Sequence, residues 1–179
     1  MAFEFKKCDI EGLYEIQPQI FSDSRGFFLE SYTEKSFFNA GLTMKFVQDN
    51  FSFSKKNVLR GMHFQTKNQQ GKLISVQQGS IYDVAVDIRP DSKTYLKYHG
   101  VVLDSERHNQ FYIPAGFAHG FLVLSDAALV SYKCSDYYHP EYESGIMWND
   151  PAVGIDWNKY LNGSTPILAE KDKLYAPIK

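Results

Sequence analysis

Short strand-like runs rich in apolar residues, separated by turn residues, recur along the chain. The clearest alternation covers residues 80–90, SIYDVAVDIRP, where Tyr82, Val84 and Val86 lie between residues that include Asp83 and Asp87. Such a pattern places one face on a core and the other toward solvent, so it predicts a half-buried strand. Further strands are predicted at 72–78, 97–104, 109–114, 119–126 and 128–138.

The spacing of these stretches is typical of an all-β sandwich or barrel, because short strands follow one another with turn residues between them. One short helix is predicted at 33–40, with Thr33 capping its first turn and Gly41 ending its last. The tail from 155 has no sustained period and predicts a loop with a helical turn or two. No repeat or linker divides the sequence, so we expect a single domain over 1–179.

Composition adds to this interpretation and excludes two classes of partner. Aromatic residues make up 16% of the 179 residues, with 14 Phe and 12 Tyr, which suits a core made of strands. A net charge of −2 with no basic block is unlike a nucleic-acid binder. No apolar run approaches the length of a membrane span, and charges interrupt the first residues, so we expect no membrane partner and a cytoplasmic location. Cys8 and Cys134 are expected to be reduced, partly buried thiols.

Of the five histidines, His119 has the most informative surroundings. Pro114 and Gly116 predict a turn that delivers His119 at the start of a strand. This PxGxxH pattern resembles the second motif of the cupin superfamily, which implies a jelly roll, the double-stranded β-helix barrel. Metal-binding cupins add two histidines in an HxH pair, whereas the corresponding strand here has one, His63, followed by Phe64 and Gln65. A transition metal needs three or four suitable ligands, so we expect no metal in the lumen.

Several ordered stretches together resemble one family more specifically. They are SRGFFLESY (24–32), FVQDN (46–50), LRGMHFQ (59–65), QGKLISVQQGSIYDVAVDIR (70–89), IPAGFAHGFLVLSD (113–126), YKCSDYYHPEYESGIMWNDP (132–151) and ILAEKD (167–172). In this order they resemble the dTDP-4-dehydrorhamnose 3,5-epimerase family. The resemblance implies inversion of two carbons beside the ketone of a nucleotide-linked 6-deoxy-4-keto sugar, without a cofactor.

The resemblance also implies a role for each catalytic candidate. His63 is the base, and Asp172 hydrogen-bonds its other ring nitrogen, which sets the tautomer. Tyr132 is the acid on the opposite face of the sugar, because a phenol is protonated at neutral pH. Lys72 stabilises the enolate oxygen, with His119 nearby. Without the resemblance, a hydrogen-bonded strand tyrosine and a solvated strand-end lysine are the ordinary interpretations of Tyr132 and Lys72.

The nucleotide end of such a substrate needs cations for the diphosphate, a ring for the base and polar groups for the rest. The resemblance implies a homodimer in which Arg25 and Glu30 complete the site of the second subunit. Its binding candidates are Arg25, Arg60 and Lys171 for the diphosphate, Tyr138 for the base, and Glu30, Gln48, Asp49, Asn50 and Glu143 as polar contacts.

Two local features leave questions that the sequence does not answer. Arg60 and His63 differ in parity, so an ideal strand would point them to opposite faces. Either a bulge at Gly61 realigns them or Arg60 reaches around the strand end. The family is expected to have a polar or histidine residue directly after Asn50. The segment 51–53, Phe-Ser-Phe, begins with a phenylalanine instead, so the substrate contacts beyond Asn50 are left open.

Three other functions remain to be weighed against the double epimerase. The first is an epimerase that inverts a single carbon or acts on a related keto sugar. The second is a metal-dependent cupin oxygenase or isomerase, which the missing HxH pair disfavours. The third is a non-catalytic sugar-binding module, which has no need for a base, an acid and an orienting carboxylate together.

Overall fold

Two antiparallel β-sheets face each other in the computed structural model, which describes residues 2–178. The six-stranded sheet has the order β1-β2-β10-β7-β12-β5, and the five-stranded sheet has the order β13-β6-β11-β8-β9. A hairpin of β3 and β4 stands apart from both. The strands are β1 Phe3–Lys7, β2 Tyr14–Pro18, β3 Phe21–Asp23, β4 Gly26–Phe28, β5 Gln48–Lys55, β6 Leu59–Gln65, β7 Lys72–Gln78, β8 Ser80–Asp87, β9 Tyr98–Asp104, β10 Gln110–Ile113, β11 Phe117–Val123, β12 Ala127–Cys134 and β13 Glu143–Gly145.

The short helices lie toward the two ends of the chain. They are α1 Glu34–Asn39, α2 Asn158–Leu161 and α3 Glu170–Lys173, with a 3₁₀ turn at Pro140–Tyr142. This confirms the prediction of an all-β protein of the cupin type with a few short helices. No helix within residues 2–178 is long and apolar enough to cross a membrane.

The predicted helix is present, and its C-terminal end is as predicted, whereas the predicted side-chain cap at its N-terminal end is not made. Gly41 has a φ of +87°, and the N–H groups of Gly41 and Leu42 donate to the carbonyl oxygens of Phe38 and Phe37. This pair of bonds is the Schellman arrangement that a glycine favours. Thr33 occupies the N-cap position but makes no side-chain bond to the helix backbone, because its hydroxyl donates to the hydroxyl of Ser36.

All six strand predictions are confirmed as strands, and the largest boundary difference is at 128–138, where β12 ends at Cys134. The prediction that residues 80–90 form a half-buried strand is wrong in its burial. Every residue of β8 after Ser80 is buried, including Asp83 and Asp87.

A second layer on the outside of the five-stranded sheet explains this burial. Tyr82, Val84 and Val86 pack with Trp157 and Leu161 of the C-terminal tail. The opposite face of β8, with Ile81, Ala85 and the two aspartates, points into the space between the sheets. The apolar face of the alternation therefore lies under the tail, and its acidic face lies inside the barrel.

A bulge in β6 resolves the parity of Arg60 and His63. His63 is paired with His119, and Arg60 is paired with Phe121, so three steps along β6 match two along β11. Gly61 has a φ of +131° at this point, a conformation that suits glycine. The bulge at Gly61, the first of the two alternatives, thus turns Arg60 and His63 toward the same space.

Both cysteines are free thiols, as predicted. Cys8 is partly buried and Cys134 is fully buried.

Candidate active site

A cavity of about 330 Å³ opens between the two sheets. Residues from both sheets and from the C-terminal tail line it, and they include most of the predicted site. The predicted residues on its wall are Gln48, Asn50, Arg60, His63, Lys72, His119, Tyr132, Tyr138, Glu143, Lys171 and Asp172.

On one wall, the imidazole of His63 is bound by the carboxylate of Asp172. His63 Nε2 lies 2.7 Å from Asp172 Oδ1, and the backbone N–H of Gly61 donates to Oδ2 at 3.4 Å. Burial alone would raise the pKa of Asp172, but the hydrogen bonds from His63 and Gly61 and the charge of Lys171 bring that pKa below its usual value. An ionised carboxylate only accepts hydrogen bonds, so Nε2 carries the proton and Nδ1 keeps a lone pair.

Tyr132 lies on the facing wall of the same cavity. It belongs to β12 of the six-stranded sheet, whereas His63 belongs to β6 of the five-stranded sheet. Burial raises the pKa of Tyr132, Cys134 raises it further, and Arg60 opposes this rise. The phenol is therefore protonated at neutral pH and can donate a proton into the cavity.

Lys72, on β7, adds to the wall that carries Tyr132, and His119, on β11, adds to the wall that carries His63. Burial lowers the pKa of Lys72, although Cys134, Asp83 and Glu143 oppose the effect. No hydrogen bond or ion pair within residues 2–178 engages the Lys72 ammonium, which leaves its donors available to an oxygen in the cavity.

His119 is held by a buried aspartate. Its Nε2 lies 3.0 and 2.9 Å from the two carboxylate oxygens of Asp83. Burial lowers the pKa of His119 despite that carboxylate, and Lys72 and His63 lower it further. His119 is therefore neutral at physiological pH, and it can act as a hydrogen-bonding group without adding a charge.

At the mouth of the cavity, four predicted binding residues form one hydrogen-bonded cluster. The hydroxyl of Tyr138 donates to Glu143 Oε2 at 2.8 Å, and the Lys171 ammonium donates to Glu143 Oε1. Gln48 accepts from the backbone N–H of Tyr138 at 2.9 Å. Tyr138 remains 47% exposed, so one face of its ring is open to a ligand.

Elsewhere on the cavity wall, Arg60 and Asn50 are held by neighbours. The guanidinium of Arg60 donates to Ser54 Oγ at 2.9 Å, and Asn50 accepts from Gln48 at 3.0 Å. Both side chains are thus oriented before any ligand arrives.

Three predicted binding residues lie outside this cavity. Asp49 pairs with Lys133 at 2.9 Å, on the face of β5 that also carries the exposed Phe51. Strand alternation explains this position, because Gln48 and Asn50 point inward and the residue between them must point outward. Arg25 is exposed in the β3–β4 hairpin, where it pairs with Asp23, and Glu30 is exposed two residues beyond β4.

The sequence analysis did not identify several residues of the cavity, some of which had a usable signal. Gln65, Phe117 and Phe121 line it, and each lies two positions from His63 or His119 on the same strand. Period-two spacing could have found them. Asp83, which holds His119 but does not itself line the cavity, had no such signal, since the alternation of β8 placed it on the face expected to meet solvent.

Together these groups define a class of site. A base with an orienting carboxylate, a protonated phenol on the facing wall and a nearby ammonium suit the removal and return of a proton beside a carbonyl. The barrel and this site are those of a cupin-type isomerase of carbohydrates.

Comparisons with known proteins identify the family. The family model described as dTDP-4-dehydrorhamnose 3,5-epimerase matches residues 7–179. A protein of that name from Methanothermobacter thermautotrophicus is 49% identical over 177 residues, which cover 99% of this chain and 95% of the relative. The chain belongs to the dTDP-4-dehydrorhamnose 3,5-epimerase family, and its enzyme class is that of a carbohydrate epimerase, an isomerase.

Solved structures agree with this assignment. A dTDP-6-deoxy-D-glucose-3,5-epimerase from Legionella pneumophila, in complex with dTDP-4-keto-L-rhamnose, has a TM-score of 0.94 and 48% identity, covering 98% of this chain and 92% of that one. A 3'-monoepimerase from Streptomyces bikiniensis, in complex with dTDP-quinovose, has a TM-score of 0.86 and 32% identity, covering 95% of this chain and 85% of that one.

Proposed function

We propose that this enzyme inverts C3 and C5 of dTDP-4-dehydro-6-deoxy-D-glucose and so forms dTDP-4-dehydro-L-rhamnose. The observation that carries the proposal is the placement of the His63–Asp172 pair and Tyr132 on facing walls of one cavity. A planar sugar enolate between them would have a base on one face and an acid on the other. The product is a stereoisomer of the substrate, so the reaction has no net oxidation or reduction.

The proton transfers follow from the hydrogen bonds. His63 Nδ1 removes the proton from the carbon beside the C4 ketone, and the electron pair of that C–H bond moves onto the ketone oxygen. Asp172 stabilises the imidazolium that results. The Lys72 ammonium faces the enolate charge, and Tyr132 then delivers its proton to the opposite face of the carbon. Solvent returns a proton to the phenolate and removes one from the imidazolium before the next inversion.

Hydrogen exchange in deuterated water tests this proposal. The wild-type enzyme should place deuterium from solvent at both C3 and C5 of the sugar. His63→Asn removes the base, so exchange should fall by about 100- to 10,000-fold, the usual contribution of a general base. Tyr132→Phe should keep exchange but lose inversion, since His63 can still return a proton to the face from which it came.

The control for both variants is Tyr160→Phe, which removes a phenol hydroxyl in α2, outside the cavity. It should exchange like the wild type. Full inversion by Tyr132→Phe, or normal exchange by His63→Asn, would contradict the assigned roles.

A single-site epimerase is the second candidate, and the likeness to a 3'-monoepimerase favours keeping it. If the sugar ring cannot turn to present its second carbon, the same base and acid would invert a single carbon. Deuterium at C3 alone or C5 alone would identify this function, whereas label at both positions would exclude it.

We also propose a homodimer in which Arg25 and Glu30 act on the partner's nucleotide. Both residues lie outside the cavity of their own chain, on or just after a hairpin that exposes Phe21, Phe27 and Phe28 by 51%, 58% and 66%. Exposed apolar groups at this density favour burial against another protein surface. A second copy with the same exposed hairpin would supply that surface symmetrically.

Mixing two inactive variants tests the shared site. If Arg25 acts in trans, a dimer of one Arg25→Ala chain and one His63→Ala chain has one site with both lesions and one intact site. Unfolding and refolding an equal mixture should then recover about a quarter of the wild-type activity. An activity no higher than that of the separate variants would show that Arg25 acts within its own chain or not at all.

We propose a cytoplasmic location for the enzyme. Cys8 and Cys134 remain unpaired thiols, the state that the reducing cytoplasm maintains. The proposed nucleotide-linked substrate is also expected in the cytoplasm. Fractionation of the source cells should recover the exchange activity with the cytosolic proteins, and recovery from the periplasm or the medium would contradict this.

A further inference from the structure

Three potential metal ligands meet at a place that the epimerase chemistry does not use. Cys8 follows β1, Glu15 lies on β2 and His99 lies on β9, and their ligand atoms all lie within 4.8 Å of one another. Within residues 2–178 this is the one group of three such side chains that comes together. None of the three lines the cavity between the sheets.

The local geometry is close to what a zinc ion requires. His99 Nε2 lies 3.1 Å from Glu15 Oε1. Two ligands of a tetrahedral zinc lie roughly 3.3 to 3.7 Å apart when the metal bonds are 2.0 to 2.3 Å long. Shifts of about 1 Å would therefore bring the sulfur, the carboxylate oxygen and the imidazole nitrogen to coordination distance.

Burial and charge at this place also suit a divalent cation. The side chains of Glu15 and His99 are 30% and 23% exposed, and Cys8 packs at the edge of the core between the sheets. The site is thus shielded but reachable from solvent. Lys6 lies 3.5 Å from Glu15, but its side chain is 68% exposed and can swing away.

We propose that Cys8, Glu15 and His99 form a binding site for a borderline divalent metal such as Zn²⁺, with water at a fourth position. A thiolate, a carboxylate and an imidazole are the ligand types that zinc selects. Binding replaces the proton of the Cys8 thiol, which passes to solvent as the metal–sulfur bond forms. The metal ion would join the β1–β2 hairpin of one sheet to β9, the edge strand of the other.

Cobalt titration of chelator-treated full-length protein tests the site, because Co²⁺ replaces zinc and reports a thiolate ligand by a charge-transfer absorption. We expect one Co²⁺ per chain with that absorption, and its loss when Zn²⁺ is added. Cys8→Ser should lose the absorption, and His99→Gln should weaken binding by at least about 100-fold, since even the loss of an outer-shell partner costs up to that factor. At a zinc concentration 100-fold above its Kd, the melting temperature should rise by roughly 5 to 10 °C.

His108→Asn is the matched control, since it removes a histidine of the turn after β9 that is not one of the three ligands, and it should bind Co²⁺ like the wild type. Circular dichroism verifies that each variant is folded, and Glu15→Gln takes the place of Cys8→Ser if that variant does not fold. Absence of the charge-transfer absorption in the wild type, or its persistence in Cys8→Ser, would overturn the proposal. The deuterium exchange assay is measured in parallel, and it depends on none of the three ligands.

Discussion

At the scale of single residues, Lys72 shows how the barrel changes ordinary chemistry. In the sequence it is a lysine at the start of a strand, where a solvated charge is the usual outcome. The fold turns it into the cavity, and burial lowers its pKa below that of an ordinary lysine. Tyr132, in the same cavity, has a pKa that burial moves upward. Burial therefore moves the two pKa values in opposite directions, that of Lys72 downward and that of Tyr132 upward.

The pH profile of kcat should show the lowered pKa of Lys72. As the pH rises through the lowered pKa of Lys72, the ammonium loses the charge that stabilises the enolate, so activity should fall below the ordinary lysine pKa of about 10.4. In Lys72→Arg the guanidinium stays charged, and the alkaline fall should move upward by at least about one pH unit. Lys159→Arg, an exposed change in α2, should keep the wild-type profile. An alkaline fall that does not move in Lys72→Arg would assign it to another group.

At the scale of elements, the bulge in β6 decides which side chains reach the cavity. Gly61 has a positive φ, and a Cβ there would lie 2.5 Å from the Cα of Gly120 and 2.9 Å from the carbonyl oxygen of His119. The close approach of β6 and β11 therefore excludes a side chain. The same bulge places the Gly61 N–H against Asp172 and brings Arg60 to the inner face.

Gly61→Ala should destabilise the protein by about 3 kcal/mol, because it combines an unfavourable φ with a backbone clash. It should also reduce exchange activity, since His63 lies two residues away on the displaced strand. Gly163→Ala is the matched control, with a φ of +81° and no atom within 4 Å of the added Cβ. It should cost only about 1 kcal/mol. Urea unfolding measures both, and equal costs would show that the close approach contributes nothing.

At the scale of the whole molecule, the C-terminal tail is a structural layer as well as a source of site residues. Trp157 is 2% exposed, stacks edge-on against Tyr82 at 5.7 Å and donates from Nε1 to the carbonyl oxygen of Trp148 at 2.7 Å. Further along, Ile167 exchanges backbone hydrogen bonds with Asn57 and Leu59. These contacts hold the tail so that Asp172 reaches His63.

Trp157→Ala should lower the free energy of unfolding by about 3 to 5 kcal/mol, because it leaves a large cavity under the tail and an unpaired carbonyl group. Leu174→Ala, in the same tail, should change it by less than about 0.5 kcal/mol, since that side chain is 82% exposed. Denaturant unfolding measures the difference when it is followed by far-UV circular dichroism, which does not rely on the fluorescence of the substituted tryptophan. Similar costs for the two variants would contradict the role of the tail as a packed layer.

The proposed metal site also belongs to the whole molecule. Cys8 and Glu15 come from the six-stranded side and His99 from the edge of the five-stranded sheet, so the site exists only after the sheets close. Its three ligands are separated by up to 91 positions along the chain, and neither the CxxC nor the HxH spacing relates them. Sequence patterns of metal sites depend on ligands from one local segment, which is why this group has no such pattern.

Local patterns were sufficient for much of the fold. Short apolar runs bounded by turn residues are typical of strands, so β7 and β9 could be predicted closely from the local sequence. Gly41 could be identified as the end of α1 because its backbone conformation depends on its own missing side chain. The ordered motifs also identified the family and most of the residues on the cavity wall.

Alternation could not decide which face of β8 meets solvent, because that depends on whether another layer covers the strand. Nor could it place Asp83 against His119, 36 positions away, or Asp172 against His63, 109 positions away. Asp49 is the opposite case, because alternation along β5 turns it outward although the family motif grouped it with its neighbours.

Short-range order along this chain was determined by the residues themselves, since backbone preferences and period-two spacing act between neighbours. The pairing of distant charged groups, the burial that moves the pKa values of Lys72 and Tyr132, and the enclosure of the cavity were decided only when the two sheets and the tail packed together. The physical reason is that desolvation and hydrogen bonding depend on what surrounds a group in space, and adjacent sequence supplies only a small part of those surroundings.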